Sequence, residues 1–303
     1  MKKRSVILLS ILVLIIVTGC GSKEVYNGLP QQDVAPLTSE ETKAFVHSLP
    51  NIRDAVDSTF GSWNIFINSF IVDFDAKKTM ISPSASIVSG IQEKANTLKQ
   101  TMDNIDLILA DFGRKKSGVD LSDISSSDEV LVQDIDSKLS NYALNKDKFD
   151  LCINNIKNYA EFVDLTVERE KLISDFTRNM NSAGVKVDDN KIDEAINLGS
   201  SAKSNLLRIK QIDLDRSKIG VVDVNSDILM SWDLHLEAMD ILLSLWNDLK
   251  RDDMNSAMEK AQQHYNTFER ANKYGEKELP VAQQAELANA WINDNIGICL
   301  DLV

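Results

Sequence analysis

Apolar residues in steps of four and three constrain this chain more than any other feature in it. From Val56 they fall at Phe60, Trp63, Ile67, Phe70 and Phe74; from Ile91 they fall at Ala95, Leu98, Met102, Ile105, Leu109 and Phe112. Such steps return to one side of a helix every two turns, so each run predicts a helix with a single apolar seam. Strand-like alternation is not sustained anywhere, and Val221, Val222 and Val224 could make at most one edge piece. With only 12 Gly and 5 Pro in 303 residues, the chain also lacks the turn chemistry of an all-β architecture.

The rest of the chain follows the same rule. Thr38 and Glu41 have the spacing of a capping box and open the first helix. Pro83 marks a break, with Ser82 or Ser84 able to cap the next start, and GRKKSG at 113–118 ends that helix. Val132, Ile135, Leu139 and Tyr142 predict one helix after Ser125–Ser127. Phe149, Ile153, Ile156, Ala160, Val163 and Val167 predict a longer one, with a second stripe at Phe162, Leu165, Leu172 and Phe176. Two stripes imply packing on two sides. Gly184 is placed to stop that helix. Small residues at Ala195, Gly199 and Ala202 predict a close helix–helix approach. Residues 213–227 break the pattern, and it resumes at Leu229, Trp232, Leu236, Met239, Leu243 and Trp246. Two further helices follow, the second after Pro280. The expectation is an all-α antiparallel bundle of about seven or eight helices over residues 38–303, with candidate subdomain breaks at 113–127 and 184–189.

The first twenty residues are different. Lys2, Lys3 and Arg4 precede a run from Val6 to Val17 that is apolar apart from Ser10. A helix of that length rises about 18 Å, short of the roughly 30 Å of a bilayer core, so the pattern is that of a secretory signal peptide. Val17, Thr18, Gly19 and Cys20 follow it directly. They resemble the lipobox of bacterial lipoproteins. The resemblance covers residues 1–20 only. It implies cleavage between Gly19 and Cys20 and a diacylglycerol on Cys20, with palmitate-type chains holding the protein on the outer side of the cell membrane. Anchoring through more than one acyl chain is stable where one alone is marginal. Residues 20–37, polar and interrupted by Pro30 and Pro36, then read as a lipidated flexible tether.

Charge narrows the partners. Residues 1–19 hold three basic residues and no acidic one, which leaves 30 basic against 46 acidic residues beyond them, a net charge of −16. Such a domain stands off an anionic membrane on its tether and lacks the basic face that nucleic acid requires. A basic protein or a neutral ligand fits better, and acidity also serves solubility alone.

Few residues suggest chemistry. Cys152 and Cys299 are the remaining cysteines: outside the cytoplasm they could form a disulfide, and otherwise they are two buried thiols. No CxxC, His-Glu-x-x-His, GxSxG or glycine-rich phosphate loop occurs. Asp223, Asn225 and Asp227 alternate as in the start of an EF-hand loop, but Ile228 and Leu234 stand where that loop needs Gly and Glu, so helix capping is the better account. No metal or cofactor is expected. Trp232, His235 and Trp246 share a helix and could line a ligand pocket. The sequence therefore reads as a non-enzymatic, lipid-anchored binding or scaffold protein of the bacterial envelope with an envelope-protein partner. The alternative is a small-ligand or metal sensor with a pocket between helices.

Overall fold

In the computed structural model of the chain, residues 36–74, 79–80 and 82–302 are described. The predicted signal peptide, its cleavage point at Gly19–Cys20 and most of the tether lie outside them. Among the described residues there are seven α-helices and no strand: α1 (Ser39–Asp73), α2 (Ala85–Ser117), α3 (Ser126–Asp188), α4 (Ile192–Ile219), α5 (Ser226–Lys250), α6 (Met254–Gly275) and α7 (Val281–Asn295). Short 3-10 turns cover Leu121–Asp123 and Gly297–Leu302. The fold is the expected all-α multi-helix bundle, and none of these helices is long and apolar enough to cross a membrane.

Local chemistry sets the helix starts. The Thr38 N–H donates to Glu41 Oε2 at 2.8 Å and the Glu41 N–H to Thr38 Oγ1 at 3.3 Å, the reciprocal bonds of a capping box. The first of these bonds also pulls the Glu41 carboxyl below its usual range. Asn225 Oδ1 accepts from the N–H groups of Asp227 and Ile228, both at 3.0 Å, and so caps α5.

Four sequence expectations need correction. The two helices expected between 126 and 183 are one helix of 63 residues, because 141–148 contains neither Gly nor Pro to interrupt it. Gly184 does not end α3. The helix ends where Asn190 takes a left-handed conformation (φ 62°) and the Lys191 N–H donates to Lys186 O at 2.7 Å. The break expected over 213–227 shrinks to 220–225, since α4 continues to Ile219 and stops at Gly220 (φ 80°). Leu37 is not free tether, because its N–H donates to Gly118 O at 2.8 Å.

The chain forms two compact units. Among the described residues, the smaller comprises those of 36–53 and 108–144, the larger those of 54–107 and 145–302. The boundaries fall inside α1, α2 and α3, so neither 113–127 nor 184–189 separates them. In the smaller unit Phe45, Leu49, Phe112, Val132, Ile135, Leu139 and Tyr142 are buried, and the Phe45 and Phe112 rings lie 5.9 Å apart. In the larger unit Ala202, Leu206 and Ile209 of α4 meet Met239 of α5, with Leu172, Ile173 and Phe176 of α3 against them. Further along, Ala183, Ala195 and Trp246 form a second cluster. Gly199 permits that contact: a Cβ there would sit 2.5 Å from Trp246 Cζ3. This is the close approach predicted from the small residues of α4.

Candidate functional site

The most developed polar site continues the apolar seam of α4. That seam steps through Ala202, Leu206 and Ile209 and then, at the same spacing, reaches Asp213 and Arg216. Both are buried, with 2% and 3% of their surface exposed. Arg169 fills the corresponding gap in the second stripe of α3, between Leu165 and Leu172, and is also buried. Charged residues thus occupy core positions on two facing helices.

They bond to one another and to neighbouring polar groups. Arg169 Nε donates to Asp213 Oδ1 at 2.8 Å, and Arg169 Nη2 donates to Glu278 Oε1 at 2.8 Å. Arg216 Nη1 donates to Asp213 Oδ1 at 3.2 Å. Trp232 of α5 donates its indole N–H to Asp213 Oδ2 at 2.8 Å. Gln284 of α7 accepts a long bond from Arg216 Nη2 (3.4 Å) and donates to Leu279 O at 2.7 Å. The guanidinium of Arg216 lies 5.0 Å from the Phe162 ring centroid, and that of Arg169 lies 5.9 Å from Trp232. One aspartate therefore collects donors from α3, α4 and α5.

The two arginines are not equivalent. Burial works against the charge of both. For Arg169 the attraction of Asp213 and Glu278 outweighs burial and raises its pKa. For Arg216 burial, reinforced by repulsion from Arg169, lowers it. Arg216 Nε finds no protein acceptor. A cavity of about 10 Å³ adjoins Arg216, Asp213, Val222, Asp223, Glu278 and Gln284, with room for roughly one water molecule. The cluster is an ionic layer: the guanidinium groups of Arg169 and Arg216 face the carboxylates of Asp213 and Glu278, so its charges are largely neutralised internally.

The residues proposed from sequence for a ligand pocket do not converge. Trp232 and His235 are neighbours, with ring centroids 5.9 Å apart, but Trp232 turns its polar edge to Asp213. Trp246 stands fourteen residues further along α5, about 21 Å of helix rise, in the cluster around Ala183 and Ala195. His235 Nδ1 lies 2.8 Å from Ser231 O and His264 Nδ1 lies 2.9 Å from Ala238 O. A carbonyl can only accept, so each Nδ1 carries a proton. The second bond, with Ser231 Oγ donating to Ala271 O at 2.8 Å, ties α6 to α5. Phe268 packs between the imidazoles, 5.4 Å from His235 and 6.0 Å from His264. Among the described residues no group of three or more His, Cys, Asp or Glu side chains could hold a metal ion.

Cys152 of α3 and Cys299 are joined by a disulfide across 147 residues, with a Cα–Cα distance of 6.0 Å. Both are buried. Trp63 Nε1 donates to Cys299 O at 3.0 Å beside the bond.

Sequence reasoning missed Arg169, Asp213, Arg216, Glu278 and Gln284. The signal was present for three of them, since extending the four-and-three steps past the last apolar residue reaches Asp213 and Arg216, and filling the gap in α3 gives Arg169. No known protein family, curated protein or solved structure matches the chain.

Proposed function

We propose that this is a lipid-anchored helical binding or scaffold protein held on the outer side of a bacterial cell membrane. The observation that carries the reading is the buried Cys152–Cys299 disulfide. Disulfides persist in oxidising compartments and are rare in the cytosol, which agrees with a lipobox-like leader ending at Cys20. A binding rather than catalytic role is favoured because the most elaborate polar cluster among the described residues holds helices together. The receptor alternative is weaker, because Trp246 lies in a different cluster from Trp232.

The partner is an envelope protein with a neutral or basic surface. A stripe on α6 supports this. Met254, Met258, Tyr265 and Phe268 recur on one side of the helix and are all exposed, Met258 by 71%. Exposed Met and aromatic side chains in a row are a common composition for protein contacts. A photo-crosslinking residue at position 258, in intact cells, tests the reading. It should trap one defined envelope protein, and Cys20→Ala should abolish both membrane retention and the adduct. An adduct unaffected by Cys20→Ala, or none above that formed from an exposed polar site such as Asn158, would contradict it.

A further inference from the structure

The C-terminal segment of the larger unit is tied covalently to α3 through Cys152–Cys299. α7 has 15 residues, and its buried side chains are Gln284, Ala285, Ala288 and Ile292. Ile296 and Cys299 extend that face. The fully buried apolar side chains of α7 itself are two alanines and one isoleucine, with Trp291 half-buried beside them, and a helix this short is marginal in water without tertiary support. At its far end Asn155 Nδ2 donates to Asn295 O at 2.8 Å, Trp63 Nε1 donates to Cys299 O at 3.0 Å, and Trp291 stacks on Tyr159 at 6.3 Å. All of these ties cluster around the Cys152–Cys299 bond. The neighbouring faces of α1 and α3 are, by contrast, large and aromatic: Trp63, Phe70, Phe149, Tyr159 and Phe162 are each fully buried.

We infer that Cys152–Cys299 is a redox latch for residues 281–302. Joined, the two sulfurs hold the segment over Trp63 and Tyr159. As free thiols they release it, while α3, α4, α5 and α6 remain folded on their own seams. Closure removes two electrons and two protons from the cysteines. A disulfide-bonded oxidant accepts them, its own S–S bond being cleaved to two thiols through a mixed disulfide. Because both sulfurs are shut off from solvent, reductant reaches the closed bond only when the segment opens. The latch therefore sets once and stays set. The latch itself rests on packing alone; its closing after export rests on the proposed location.

Amide hydrogen exchange on the full chain tests it, comparing the oxidised protein with the Cys152→Ser/Cys299→Ser and Cys152→Ala/Cys299→Ala pairs. Amides of residues 285–299 should exchange at least about tenfold faster in both variants, and those of α4 and α5 within about twofold of the oxidised protein. Unchanged protection over 285–299 would overturn the inference, since packing alone would then hold the segment. Loss of protection throughout the larger unit would overturn it equally, by making the bond a staple of the whole fold. Alkylation of the chain taken directly from its host reads the location separately: a latch that works in the exchange experiment with thiols that are free in the cell would sink the extracytoplasmic reading and leave the latch standing.

Discussion

Helices α4 and α5 meet in two ways along one seam. At Gly199 the contact is apolar and tight, with Leu243 and Trp246 pressed onto the backbone of α4. Two heptads along, at Asp213, it is ionic, with donors from Arg169, Arg216 and Trp232 converging on one carboxylate. Apolar layers bury area in more than one register, whereas an ionic layer is satisfied in only one. The difference suggests a division of labour: the apolar layers supply stability and the ionic layer fixes how the helices align.

The largest effect should come from breaking the ionic layer on one side. Asp213→Ala leaves two buried guanidinium groups short of an acceptor and should cost about 3–5 kcal/mol in urea unfolding. Replacing the layer as a whole, by Arg169→Met, Asp213→Leu and Arg216→Met, should leave stability within about 1 kcal/mol or raise it, while broadening core side-chain NMR signals if register is lost. A cost below about 1 kcal/mol for Asp213→Ala would mean that water reaches the layer and that the ionic and apolar layers do not differ in role.

The apolar half comes next. Gly199→Ala drives a methyl into Trp246 and should cost about 1–3 kcal/mol. In a Trp246→Phe background the same change should cost less by at least about 0.5 kcal/mol, because the ring atom it meets is gone. Additive costs would show that the close approach is not what Gly199 is for.

These halves were not equally legible in the sequence. The apolar seam could be read from spacing alone, down to the close approach at Gly199, because burial of apolar groups leaves a period. The ionic layer follows the same period, yet Asp213 and Arg216 were read as a break, because a charged residue at a core position is identified only by its partner. Asp213 and Arg216 are three residues apart, but the pairs Arg169–Asp213, Arg216–Gln284 and Arg169–Glu278 that complete the layer span 44, 68 and 109 residues, beyond any local pattern. The continuity of α3 was missed for another reason: a stretch of polar residues without Gly or Pro resembles a loop in composition while remaining fully compatible with helix. Gly184 shows the converse, a permissive residue where no turn is formed. The expected pocket failed on distance, since Trp232 and Trp246 share a seam without sharing a level.

Smaller effects sharpen the comparison where α5 begins, next to the ionic layer. Asn225→Ala removes the acceptor for two helix N–H groups and should lower stability by about 1 kcal/mol in thermal unfolding, whereas Asn225→Asp should change it little. Equal losses for both would point to a role other than capping.

The smallest effect distinguishes a charge at the helix end from the ionic layer. Bonds from Lys260, and then from Ser256, lower the Asp248 carboxyl below its usual range. Its contribution is therefore complete above about pH 4, where the unfolded carboxyl is also ionised, and is lost as pH falls through the lower folded value. Asp248→Asn should be slightly less stable than the natural chain at neutral pH, with the gap closing in acid. A gap that is constant with pH would show that the carboxylate charge is not what matters there.

The lipid anchor, the disulfide and the location of the chain are open to one experiment. The most direct measurement is the intact mass of the protein extracted from host membranes, taken with and without alkylation under denaturing conditions. The account predicts a chain beginning at Cys20, heavier by a diacylglyceryl group, that gains no alkyl adduct because Cys152 and Cys299 are joined. A chain that still begins at Met1 and takes up an adduct on each of its three cysteines would contradict it.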